Sequence, residues 1–146
     1  MKQTKKLFSI LLLAFFLNNV HAQTEFYDFA VYQNSFDGRT VEDGYILVVS
    51  DPIKNFSRSD WSSDKFNKLK EDFTIKANRE AGFKLIQSNN NITPYRSEFH
   101  KFKYKSECLE AIRKEVDDFK KRYSGLTHFG QPIPEPRIIY VQFYMD

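Results

Sequence analysis

The run "YILVVS", Tyr45 to Ser50, constrains the fold more than any other stretch of this chain. It is apolar at successive positions and partly β-branched. In an extended strand neighbouring side chains point to opposite sides, so a run of this kind buries both of its faces, as a central strand does. The segment before it, residues 25–36 ("EFYDFAVYQNSF"), alternates, with Tyr27, Phe29 and Val31 on one face. Turn residues separate the two, which predicts an antiparallel pair joined by a long loop.

Helices and strands alternate after that pair. Asp51-Pro52 breaks the strand, and a polar loop leads to Ser62 or Ser63 as a helix cap. Phe66, Leu69, Phe73 and Ala77 then recur at helical spacing. The helix is expected to reach Ala81 and stop at Gly82, which leaves Ile75 opposite the apolar stripe. "FKLIQS", Phe83 to Ser88, reads as a strand, "NNN" as a turn, and residues 95–104 as a returning strand. Ser106 is placed as the cap of a second helix. Its acids Glu107 and Glu110 lie near the start, and Lys120, Lys121 and Arg122 near the end, before Gly125. "LTHFGQPIPEP" is a stiff connection, and "RIIYVQFYM" is the last strand.

The resulting order is β-β-α-β-β-α-β. We expect an α+β fold with an antiparallel sheet, both helices on one face, and a ferredoxin-like core with an added N-terminal edge strand.

The first 22 residues have the layout of a secretory signal peptide. Lys2, Lys5 and Lys6 precede the apolar run "LFSILLLAFFL", and Val20 and Ala22 offer a cleavage site before Gln23. The run is too short to span a bilayer. These features predict a secreted or periplasmic protein, a single domain over residues 23–146, and no stable membrane anchor after cleavage. Three of the 22 basic residues and none of the 19 acidic ones lie in the signal, so the remainder is electrically balanced. Nucleic acid is therefore not expected as a partner, since it selects a clear basic excess. One cysteine cannot form an internal bridge, so the core must come from apolar burial. The aromatic content, 16% of the chain, makes that feasible.

No phosphate loop, dinucleotide fingerprint or nucleophile elbow is present. Cys108, His100 and His128 are scattered rather than set at metal-ligand spacing, so neither a metal nor another cofactor is expected. Cys108 falls on the border of its helix's apolar arc, in the first turn. There it is either a packing residue or the nucleophile of a small Cys/His hydrolase. Packing is the simpler reading, and no catalytic residues are assigned.

Binding residues are sought in two places. "YRSEFHKFKYK" mixes aromatic and basic side chains, and Tyr95, Arg96, His100, Phe102 and Tyr104 could stack on a ligand from an open sheet face. The connection after the second helix is long for a small domain and carries His128 and Phe129. The expected class is a non-enzymatic binding module for a protein partner or a cell-wall glycan.

Residues 82–115 also resemble the second half of SPOR domains, through Tyr95, Arg96, Phe102 and Ala111. That resemblance implies a βαββαβ fold that binds peptidoglycan glycan strands. It covers about a quarter of the chain. His100-Lys101 stands where the family has a glycine, and Asp51-Pro52 interrupts the first-half motif.

Overall fold

The computed structural model describes residues 25–34, 42–55, 64–88, 91–95 and 101–143. The signal segment, Ser62, Ser63, Arg96 and His100 lie outside the described residues. Strands β1 (Tyr27–Asp28), β2 (Ala30–Gln33), β3 (Ile46–Ser50) and β4 (Ile53–Lys54) precede helix α1 (Asp64–Ala81). Strand β5 (Thr93–Pro94), helix α2 (Lys105–Tyr123) and strands β6 (Thr127–His128), β7 (Gln131–Pro132) and β8 (Arg137–Val141) follow. The main sheet has the order β5-β2-β3-β8, and β1-β4 and β6-β7 form two-stranded ladders.

The α+β class stands, but the expected arrangement does not. β3 and β8 are parallel, with Ile46 opposite Arg137 and Ser50 opposite Val141, so the sheet is mixed rather than antiparallel. The helices cover opposite faces. Ile46 and Val48 of β3 pack with Ile139 and Val141 of β8 and with Phe66, Phe73 and Ala77 of α1. Leu47 and Val49 pack with Phe29 and Phe102 and with Cys108, Ile112, Val116 and Phe119 of α2. The reason lies in β3 itself. All five of its residues are buried, so each face needs an apolar cover, and a helix with one apolar stripe supplies one cover.

A second departure concerns Phe83–Ser88, which is not a strand. Its ladder partner is a single side chain. The Asn78 amide accepts from the Ile86 N–H at 2.7 Å and donates to the Ile86 carbonyl at 3.2 Å. Leu85 and Ile86 are both buried at this point, so consecutive side chains face inward and the two-residue alternation of a strand is lost. Of the expected returning strand, residues 95 and 101–104 are described, and the paired strand β5 lies just before it. β5 pairs with β2 through Ala30–Pro94 and Val31–Thr93, the Tyr95 N–H donates to the Phe29 carbonyl, and Tyr27 and Phe102 exchange backbone hydrogen bonds. Pro94, without an N–H, sits in an edge strand, where it is tolerated.

Helix α1 runs to Ala81 and stops at Gly82, whose φ of 85° suits glycine, and Ile75 points to solvent. Helix α2 begins one residue before Ser106. Ser106 therefore lies in its first turn, and Glu107 Oε2 accepts from the Tyr104 N–H at 3.3 Å instead. Cys108 is fully buried, while Leu109 is 40% exposed. Cys108 thus lies within the buried arc of α2, with Ile112, Val116 and Phe119, rather than on its border.

The antiparallel run of residues 27–33 against 47–54 carries a bulge. Val31 pairs with Val49, but three residues earlier Asp28 pairs with Ile53, four residues on. The extra residue falls within Ser50-Asp51-Pro52, where Pro52 has no N–H for the ladder. Ser50 Oγ fills the gap, accepting from the Ala30 N–H at 2.8 Å and donating to the Asp51 carbonyl at 2.8 Å.

Candidate functional site

Among the described residues, the proposed binding residues do not form one surface. Tyr95 is half-buried, stacked on Phe29 with ring centroids 4.3 Å apart, and its N–H donates to the Phe29 carbonyl. Phe102 is buried in the same α2 core. The two are covered by a helix and present no open sheet face. Tyr104 is exposed at the start of α2. His128 and Phe129 lie beyond its end, and a helix of 19 residues separates the two places by about 28 Å along its axis.

At the far end the structure does bring a pair together. β6 and β7 make a small hairpin, with Thr127 opposite Pro132 and His128 opposite Gln131. Its turn residues, Phe129 and Gly130, have φ of 47° and 79°. Two successive left-handed residues are the requirement of the tight turn that matches strand twist. Gly130 meets it without strain. Phe129 does not, because an L side chain there crowds its own backbone, at a cost of about 1–2 kcal/mol. Phe129 is nevertheless 95% exposed, with its ring beside His128 at 4.3 Å between centroids.

The hairpin is held at its base. Ile133 is buried, and its N–H donates to the Leu126 carbonyl at 2.8 Å. The following Pro134 carbonyl lies so close to Gly44 that a Cβ there would sit 2.8 Å from it. Gly44 also has a φ of 78°, so both space and backbone require glycine. A strained aromatic is thus displayed from a fixed platform. Sequence spacing found these two residues as part of a long connection. The Phe-Gly pair that makes the turn carried no usual turn signature at its first position.

At the opposite end, the bulge places a carboxylate that sequence reasoning read only as a strand break. β3 and β8 end side by side, and Asp51 follows β3. Its N–H donates to the Val141 carbonyl at 3.1 Å, and its Oδ1 accepts from the Phe143 N–H at 3.1 Å. Two clefts meet at Asp51. Tyr27, Lys54 and Lys105 line one, and Leu109, Arg113 and Tyr140 the other. Burial pushes the Asp51 carboxyl above its ordinary value, and the Phe143 N–H, Lys105 and Lys76 oppose that shift. The clefts contain a carboxylate, cations and tyrosine hydroxyls. Among the described residues, neither histidine nor cysteine lines them.

Among the described residues, no group of three or more His, Cys, Asp or Glu side chains gathers as a metal site would. No described helix is long and apolar enough to cross a membrane. No protein-family profile, curated protein or solved structure matches the chain.

Proposed function

We propose that this is an exported, non-enzymatic binding module that contacts a protein partner through the tip of the β6–β7 hairpin. The observation that carries this reading is Phe129, a phenylalanine held in a left-handed turn with its ring in water. The strained backbone opposes folding, and the exposed ring contributes no burial to offset it. A rigid aromatic on a fixed loop is, in contrast, an efficient anchor, because it desolvates a large area with little entropy to lose on binding. The buried Cys108 speaks against the thiol-hydrolase alternative. The glycan alternative drew on Tyr95 and Phe102, which pack in the α2 core.

The test is site-specific photo-crosslinking in the exporting cell. A photoreactive phenylalanine analogue at position 129 should give a discrete protein adduct, while the same group at exposed position 75 on α1 should not. Equal adduct patterns at the two positions would remove the hairpin from the partner surface. N-terminal sequencing of the exported species should begin at Gln23.

A further inference from the structure

We infer that the outer edge of β8 is a docking groove for an extended partner segment that alternates acidic and apolar residues. This surface is independent of the hairpin tip.

The inference begins with the phase of the ladder. The Arg137 N–H donates to the Tyr45 carbonyl at 2.8 Å, and the Val141 carbonyl accepts from the Asp51 N–H at 3.1 Å. In a parallel pair, alternate residues of a strand bond to the same neighbour. Arg137, Ile139 and Val141 therefore serve β3. Ile138 and Tyr140 direct their N–H and carbonyl groups away from it, and β8 is the last strand of the sheet. Among the described residues no strand pairs with that side.

Edge strands are commonly protected by charge, proline or a bulge. Arg137 could serve, but its guanidinium is turned onto α1, donating to the Ala81 carbonyl at 3.2 Å and to the Glu80 carbonyl. Lys76 Nζ donates to the Gln142 carbonyl at 2.6 Å and so closes only the upper end. Between them Tyr140 is 59% exposed.

The walls of this edge differ in chemistry. On the α1 side a cleft is lined by Lys76, Arg79 and Glu80, and on the α2 side by Leu109, Ile112 and Arg113, with Tyr140 bordering both. An added strand would send alternate side chains to the two sides. Those level with Ile139 and Val141 would meet Lys76 and Arg79, which favours acids. Those level with Tyr140 would lie beside its ring and Leu109, which favours apolar residues. Arg79 pairs with Glu80 at 3.4 Å on the exposed face of α1, and Lys76 and Arg113 outnumber Asp51, so charge favours an acidic segment. A second copy of this chain fits less well. Pairing β8 with itself would bring Lys76, Arg79 and Arg137 of both copies to one seam, where like charges oppose.

The test uses two fluorescein-labelled nine-residue peptides, one alternating glutamate with valine and the other lysine with valine. Anisotropy should show the glutamate peptide binding about tenfold tighter or more, as expected where charge complementarity sets preference. Arg79→Glu, at an exposed position, should erase most of that ratio without changing the melting temperature. Phe129→Ala should leave it intact. Hydrogen exchange should show the Ile138 and Tyr140 amides gaining protection with the glutamate peptide. Equal binding of both peptides, binding of neither, or binding without protection of those two amides would each overturn the inference. Protection that grows with protein concentration and needs no peptide would assign the edge to a second copy instead.

Discussion

Phe29 and Phe129 are the same side chain at the two limits of burial. Phe29 is fully buried against Tyr95 and the α2 core, whereas Phe129 is 95% exposed on a hairpin that strains its backbone. The first contributes apolar burial to folding, and the second works against it. The difference teaches where to look for function. A residue that stabilises the fold explains itself, and one that destabilises it calls for a partner.

That contrast can be broken by substitution. Phe29→Ala should be the most damaging change, at about 3–5 kcal/mol, because it removes a buried ring and leaves a cavity. Urea denaturation would measure it, and a loss below about 1 kcal/mol would mean the site collapses freely. Asn78→Ala comes next. It deprives the buried Ile86 of both backbone partners, and with each unpaired group costing roughly 1–3 kcal/mol, a loss of about 2–6 kcal/mol is expected. Asn78→Asp should restore the N–H partner but not the carbonyl's, and so recover part of the loss.

Phe129→Gly should move in the opposite direction. Relief of the left-handed strain stabilises by about 1 kcal/mol, offset in part by the greater freedom of glycine in the unfolded chain. A clear drop in melting temperature would show that the ring supports the hairpin and so end the contrast with Phe29.

The smallest effect concerns Asp51, and it appears as a pH dependence. Its folded pKa lies above the ordinary 3.8, so the protonated form favours the folded state. That contribution is present below the ordinary value and is lost as pH rises through the folded one. Asp51→Asn keeps an oxygen for the Phe143 N–H but does not ionise. Its stability relative to the parent should therefore rise between about pH 3 and the folded pKa, then stay level to about pH 7. A flat difference would mean that Lys105, Lys76 and the neighbouring Arg113 cancel the effect of burial.

Much of the fold was legible in local pattern. The period of Phe66, Phe73 and Ala77 gave α1 its length and left Ile75 outside, and the alternation at Tyr27, Phe29 and Val31 named a face that β1 and β2 do present. Non-local matters were less accessible. The parallel pairing of β3 with β8 joins segments 91 residues apart. The Asn78 amide replaces a strand partner for Phe83–Ser88, and only the packed loop reveals that exchange. The candidate sites divide in the same way. His128 and Phe129 were visible as residues on a long connection, but their shared tip was not. Asp51 was visible as a break, but its place between two clefts depends on a bulge and on the end of β8.

The sequence by itself determined that β3 would be central, because both parities of "YILVVS" are apolar and water is excluded from both. It also determined two amphipathic helices, since helical period is set by neighbours a few residues apart. Only the tertiary structure decided that these helices would take opposite faces, that Tyr95 and Phe102 would be core rather than surface, and that Phe129 would stand in water. Those outcomes depend on which distant segments share a face, and residue spacing along a chain does not encode that.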